Sequence, residues 1–361
     1  MSVSRLNGFL AGVTVLDLSH YLPGPLASLM LADMGATVIK IEPPGGDAMR
    51  LLGPRGPNDE PVYYQAINAG KESRILDLKD AADHAVFLDL VGDADILIEG
   101  FRPGVMARLG LNDARLADRN PRLIRCSISG YGADSPLAQV AGHDGNYLAA
   151  AGTLHRNGPD LFDPPVADCA GGLFAALAIL GALQGRARDG QGCHIDLALA
   201  DSIMPLQLFA IAGLDATGRI PAPRDNYLNG GAAYYRTYVL ADGSRAVLGA
   251  VEAKFWRTFC DSAGHPEWLD RQAEPMPQDD LEAAVQDMFG ALDPRDCAER
   301  FADPDCCVSV ALDLEQALIS EHVRDRGLVR RAPGGALQAL FPAIVDGERP
   351  GTRPPLQGTG P

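Results

Sequence analysis

The apolar residues near the start of the chain fall in short blocks separated by turn formers. Residues 13–18 (Val-Thr-Val-Leu-Asp-Leu) read as a buried strand, Pro23-Gly24-Pro25 as a turn, residues 26–34 as a helix by their spacing, and residues 37–42 as a second strand. That is a βαβ unit. Further apolar runs at 74–78, 96–99 and 123–127 alternate with helix-like stretches such as 82–91. Strands separated in this way predict a parallel sheet covered by helices.

After Gly185 the pattern changes. Two turn signals around Gly190 and Gly192 precede a short strand at 193–197, and a long apolar helix is expected from Asp201 toward Leu214. A Pro-, Asn- and Gly-rich segment (219–232) leads into two strands, 234–240 and 245–251, joined by an Ala-Asp-Gly turn. Residues 277–301 are acidic and helical in spacing, and the Pro-rich tail from Pro342 has little capacity to build structure of its own. The expected organisation is a large α/β domain (1–200), a linker helix and loop (201–228), a small α+β domain (229–305) and a C-terminal return to the large domain (306–361).

Composition narrows the function classes. The 361 residues are 47% hydrophobic and 22% charged, which fits a packed globular protein, and the formal charge of −16 with no dense basic face argues against nucleic acid and anionic membranes as partners. An anionic ligand therefore requires a local basic pocket. The seven cysteines form an odd set without a C-x-x-C pair, which argues against a disulfide framework and a structural zinc site and favours a reducing, cytoplasmic setting. Neither end reads as a targeting signal. The small-apolar stretch 169–183 reads as a buried helix, short of the roughly 20 residues that cross a bilayer.

The first βαβ unit mimics a dinucleotide-binding start, with Glu42 placed 18 residues after Gly24. The turn reads Tyr21-Leu22-Pro23-Gly24-Pro25 and lacks the G-x-G-x-x-G fingerprint, so a tight turn opening a helix explains the same residues.

Three blocks are similar to the family III CoA-transferase (CaiB/BaiF) and α-methylacyl-CoA racemase superfamily: Leu-Ala-Asp-Met-Gly-Ala-Thr-Val-Ile-Lys-Ile-Glu-Pro-Pro (31–44), Ala-Asp-Ile-Leu-Ile-Glu-Gly-Phe-Arg-Pro-Gly-Val-Met-Ala-Arg-Leu-Gly-Leu (94–111) and Asp-Gly-Gln-Gly-Cys-His-Ile-Asp-Leu (189–197). The segments Ala-Gly-His-Asp-Gly-Asn-Tyr-Leu (141–148), Asn-Gly-Gly-Ala-Ala-Tyr-Tyr-Arg-Thr-Tyr (229–238) and Val-Leu-Gly-Ala-Val-Glu-Ala-Lys-Phe-Trp (247–256) resemble the racemase branch. Inverting a carbon next to a thioester requires one group to remove the α-proton and another to return one from the opposite face. The resemblance assigns these roles to His143 and Asp168, with Asp144 and Glu252 organising the imidazole and the enolate oxygen. It places the CoA portion of an acyl-CoA substrate along Leu76, Asp77, Leu78 and Lys79, along Gly100, Phe101, Arg102, Pro103, Gly104 and Val105, at Arg108, and against Gly142, Gly145, Asn146 and Tyr147. It also implies a Rossmann-like large domain and an interlocked homodimer, with no metal or redox cofactor.

Each residue has a local explanation as well. Asp168 suits the N-cap of a helix opening at Cys169, His143 a polar turn, Glu252 a solvated strand end, and Arg102 and Arg108 a solvated surface. Three departures from the family pattern stand out: Pro43 occupies a position where relatives carry an arginine, which Arg50 or Lys71 would have to replace, Gly145 follows His-Asp, and Ala253 follows the glutamate. Two other functions fit the same residues. A CoA-transferase would use Asp168 as a nucleophile through a mixed anhydride, and a silent CoA-binding protein would use none of them for chemistry.

Overall fold

A computed structural model describes residues 5–56, 59–158, 160–220 and 222–358. The terminal residues read above for targeting signals lie largely outside it. The described residues within 1–151, 161–207 and 321–361 form one compact unit, and those within 152–160 and 208–320 form another.

In the first unit, strands β1 (Thr14–Leu18), β2 (Thr37–Glu42), β3 (Glu72–Ile75), β4 (Ile96–Glu99), β5 (Ile124–Ser129) and β6 (His194–Ala198) pair in parallel, in the order β3-β2-β1-β4-β5-β6. The order reverses between β1 and β4, and the chain leaves the carboxyl ends of these two strands in opposite directions. Open α/β sheets bind ligands at that crevice. Leu16, Leu18, Ile39, Ile41 and Leu97 pack with Phe87 and Val91 of the helix Ala81–Asp93. In the same unit the helix Val166–Asp189 lies against the helix Pro23–Asp33. A Cβ at Gly172 would sit 2.6 Å from the Pro23 carbonyl oxygen, so only glycine permits this approach.

Several expectations need correction. The strand expected at 74–78 ends at Ile75, because the Asp77 N–H is taken by Asp83 Oδ2 and the chain leaves the sheet. The helix expected from Asp201 is two short 3₁₀ turns, Asp201–Ile203 and Pro205–Gln207, and then a helix Leu208–Thr217; Pro205 has no N–H to continue a ladder. The apolar stretch from Cys169 belongs to a longer helix of 24 residues. That helix is long and apolar enough to cross a membrane, though Ala167, Ala175 and Ile179 are buried while Leu173 (54%) and Leu177 (63%) are exposed. The Pro-rich tail is anchored: buried Arg353 pairs with both oxygens of Asp33 at 2.6 Å, and β12 (Gln357–Gly358) adds to the sheet beside β3. Strands β10 (Val329–Arg331) and β11 (Leu337–Ala339) form an antiparallel pair just before it.

The second unit carries an antiparallel sheet of β7 (Tyr235–Val239), β8 (Arg245–Gly249) and β9 (Val308–Val310). Its core is aromatic, with Tyr238, Trp256, Phe259, Phe289 and Phe301 closely packed. The acidic stretch 277–301 resolves into helices Asp279–Gly290 and Pro294–Arg300, the second capped by Asp293.

Candidate active site

A cavity of about 520 Å³ opens at the crevice between β1 and β4. Its walls come from the turn after β1 (Ser19, His20, Tyr21), the loop after β4 (Gly100 to Pro103), the end of β5, and the residues Gly142, His143, Asn146, Tyr147 and Asp168. His143 and Asp168, 25 positions apart in the chain, thus line one space.

His143 stands at the N-cap of the helix Asp144–Ala150, where its own N–H donates to Asn146 Oδ1 at 3.0 Å. The Tyr147 hydroxyl donates to the Gly142 carbonyl at 2.6 Å and pins the preceding turn. The His143 ring meets the Tyr21 ring edge to face at 6.3 Å.

Asp168 is not an N-cap. The helix begins at Val166, after Pro164 and Pro165, and Asp168 lies in its first turn. The free amides there are satisfied by Asp144, whose Oδ1 accepts from Ala167 N at 2.6 Å and Asp168 N at 3.2 Å. One carboxylate therefore ties the turn bearing His143 to the helix bearing Asp168. Burial and the nearby Asp144 charge push the Asp168 carboxyl up from its usual 3.8 to about 6, against a smaller opposing effect of His143. A group near 6 changes protonation easily in either direction around neutral pH.

The raised carboxyl has a consequence for stability. The folded chain holds the Asp168 proton more tightly than the unfolded chain, so stability falls as pH rises from about 4 through about 6 and stays reduced above that. Asp168→Asn is expected to stabilise the protein by about 1–2 kcal/mol at pH 8, after allowance for partial exposure, and by almost nothing at pH 3.5. Thermal melts at the two pH values check this.

The segments expected to hold CoA line adjoining spaces. Leu76, Asp77, Leu78 and Lys79 form a cavity of about 210 Å³ with Phe101, Val105 and Leu109. Leu78, Lys79 and Leu109 also border an open basic cavity, which adds Arg108 and Arg115. Gly104, with φ of 89°, precedes the short helix Val105–Arg108 and borders a further cavity on the β4–β5 side with Arg102 and Pro103. Gly145 lines none of these cavities, and a Cβ there would meet Leu161 Cδ2 at 3.0 Å.

Arg50 and Lys71, the two candidates to stand in for an arginine at Pro43, are both engaged with other groups. Arg50 is spent on Glu42, with contacts of 2.7 and 2.8 Å, and lies over the Tyr64 ring. Lys71 is fully buried, donating to Asn68 Oδ1, the Pro25 carbonyl and Asp17. Glu252 is exposed in the second unit, at the N-cap of the helix Ala253–Ala263 and without a capping bond from its side chain. Among the described residues no group of three or more His, Cys, Asp or Glu side chains is placed to hold a metal ion. Ser19, His20, Tyr21 and Arg115 were missed by the sequence reading. The signal for the first three was their place just after β1.

The model of CoA-transferase family III matches residues 10–358, and the chain belongs to that family. The chain is 34% identical to the acetyl-CoA:oxalate CoA-transferase of Acetobacter aceti, over 96% of this chain and 93% of that one. It is 35% identical to the α-methylacyl-CoA racemase of Homo sapiens, over 88% of this chain and 81% of the other. A crystal structure of a CaiB/BaiF family protein from Brucella suis superposes with a TM-score of 0.84 at 27% identity, covering 96% of both chains. The family is one of enzymes, and these relatives carry out two different reactions on CoA thioesters.

Proposed function

We propose that this protein is a racemase or epimerase acting at the α-carbon of 2-methylacyl-CoA thioesters. The observation that carries the reading is the sharing of one cavity by the His143 imidazole and an Asp168 carboxyl held near 6. One of the two takes the α-proton, the C–H electron pair moves into the carbonyl to give an enolate, and the other returns a proton to the opposite face of the carbon. Reversing the roles converts the other enantiomer. The enolate oxygen is met by backbone N–H groups at the start of the helix Asp144–Ala150, with the Asp144 amide first among them.

The CoA moiety runs from the basic cavity of Lys79, Arg108 and Arg115, which takes phosphates, through the cavity lined by Leu76 to Lys79, to the thioester beside His143. Glu252 reaches the imidazole from a second subunit of an interlocked homodimer.

The relative named for CoA transfer supports a second reading, in which Asp168 attacks the thioester carbonyl, CoA leaves as the thiolate and a mixed anhydride forms. That reading leaves the His143 imidazole, which lines the same cavity, without a task. Incubation with one enantiomer of a 2-methylacyl-CoA in deuterated water separates the two. Racemisation with deuterium at the α-carbon supports proton exchange. CoA transfer to a free acid without exchange, and trapping of the anhydride by hydroxylamine, would overturn it.

A further inference from the structure

His20 and Tyr21 have no part in the chemistry above, yet both line the large cavity. Successive residues of an extended chain face opposite ways. Tyr21 has a φ of 61°, a left-handed backbone that bulky residues seldom adopt and that gathers at functional sites. It turns both side chains into the same space.

His20 and Phe101 are the two residues, among those described, that border both the large cavity and the smaller one formed by Leu76 to Lys79. Their rings meet edge to face at 5.6 Å on the boundary that the two spaces share, and this boundary is the neck for any ligand spanning both. A ligand that occupies both must pass them. The rest of the smaller cavity's wall is largely apolar, including Leu18, Ile41, Val105 and Leu109. A polar group threading the neck therefore needs a partner there, or it loses its bonds to water without replacement.

Behind the imidazole lies Asp47, fully buried. His20 Nδ1 and Asp47 Oδ2 are both shielded from solvent and face each other at 3.7 Å, and the ring nitrogen completes no other hydrogen bond. Asp47 is itself held in place. Its Oδ1 accepts from Met49 N at 2.9 Å, its N–H donates to Glu42 Oε2 at 2.9 Å, and the Lys40 ammonium lies 3.0 Å from Oδ2. Burial opposes its ionisation, but the contacts with His20, Lys40 and Met49 prevail and hold the carboxyl down at about 2. A fixed carboxylate directs the Nδ1–H of a facing imidazole toward itself and leaves Nε2 as a hydrogen-bond acceptor.

We propose that His20, oriented by Asp47, is a further substrate-binding residue that accepts a hydrogen bond from an amide N–H of the pantetheine arm where that arm passes the neck beside Phe101. The inference rests on reading the linked cavities as an acyl-CoA site. It gives the site a means of recognising an amide-bearing arm, separate from the phosphate contacts and from the acid/base pair.

Calorimetric titration of the full-length protein with free CoA and with adenosine 3′,5′-bisphosphate tests it, because the second ligand lacks the arm. His20→Ala and His20→Phe are each expected to weaken CoA binding about tenfold, the equivalent of one ordinary hydrogen bond, while adenosine bisphosphate binding changes less than about twofold. His20→Gln, which keeps an acceptor, is expected to restore most of the affinity. The Phe variant preserves the ring against Phe101, so it reports the hydrogen bond even if the Ala variant folds poorly. CoA binding undiminished in the Phe variant, or equal weakening of both ligands, overturns the inference while leaving the acyl-CoA reading in place. A wild-type protein that binds neither ligand overturns that reading and the inference with it.

Discussion

Replacing His143 with alanine is expected to lower α-deuterium exchange into a 2-methylacyl-CoA by about 10³-fold, within the range a positioned general acid or base supplies. His143 borders the cavity on an extended N-cap residue whose backbone is secured by Asn146, so truncating its side chain leaves the turn bonded. The effect should fall on kcat far more than on KM, since the imidazole acts on the α-proton and not on the CoA portion. Asp168 supplies a second signature through pH. Each conversion needs one member of the pair free to take the proton and the other loaded to return one, and the two loaded forms carry the same number of protons. Both enantiomers should therefore share one pH profile, with the rate falling as pH drops below about 6 and the Asp168 carboxyl takes up its proton. Circular dichroism of each conversion reads the two profiles. A rate that holds its level well below pH 6 would remove Asp168 from the proton exchange.

The sheet was largely legible in the chain because parallel strands are buried on both faces. Val15, Leu16, Leu18, Ile96, Leu97 and Ile98 are nearly inaccessible and appear in the sequence as short continuous apolar runs. Strand ends were less legible, since they depend on partners distant in sequence, as the loss of Asp77 N to Asp83 shows. The site was legible only as a motif. Nothing local reveals that the helix cap credited to Asp168 is supplied by Asp144 from 24 positions away, or that a Pro-rich tail is held by Arg353 against Asp33. His20 and Tyr21 do not stand out in the sequence, because the turn lacks a glycine-rich fingerprint and a tight turn opening a helix explains it. Their importance comes from the order of the strands, since the carboxyl end of β1 lies at the sheet's reversal point, and strand order is not written in any window of sequence.

Beneath that turn lies the buried charge on which the second large effect depends. Asp17 at the end of β1 is fully buried, accepts from Ser19 N at 2.9 Å and from the hydroxyls of Ser19 and Ser28, and faces the ammonium groups of Lys71 at 3.3 Å and Lys40 at 4.0 Å. Burial penalises the Asp17 charge, but the two lysines and the serine hydroxyls outweigh it and hold the carboxyl far below its ordinary range. Burial conversely lowers Lys71 to about 8 even with Asp17 beside it. Asp17→Ala would leave the buried Lys71 without its carboxylate and Lys40 with Asp47 alone, and is expected to cost about 3–5 kcal/mol, seen as a lower urea midpoint of the first unit. The loss belongs to the unpaired charge more than to the bonds, so Asp17→Leu combined with Lys71→Met should recover a large part of it. Lys40 limits that recovery, because it keeps Asp47 and the Ser19 carbonyl as partners but loses its second carboxylate. A double variant no more stable than Asp17→Ala would mean that the serine hydrogen bonds, and not the charges, hold the end of β1. Partial recovery accompanied by weaker CoA binding would instead connect the buried pair to the site, because Ser19 is the residue through which Asp17 sets the position of His20.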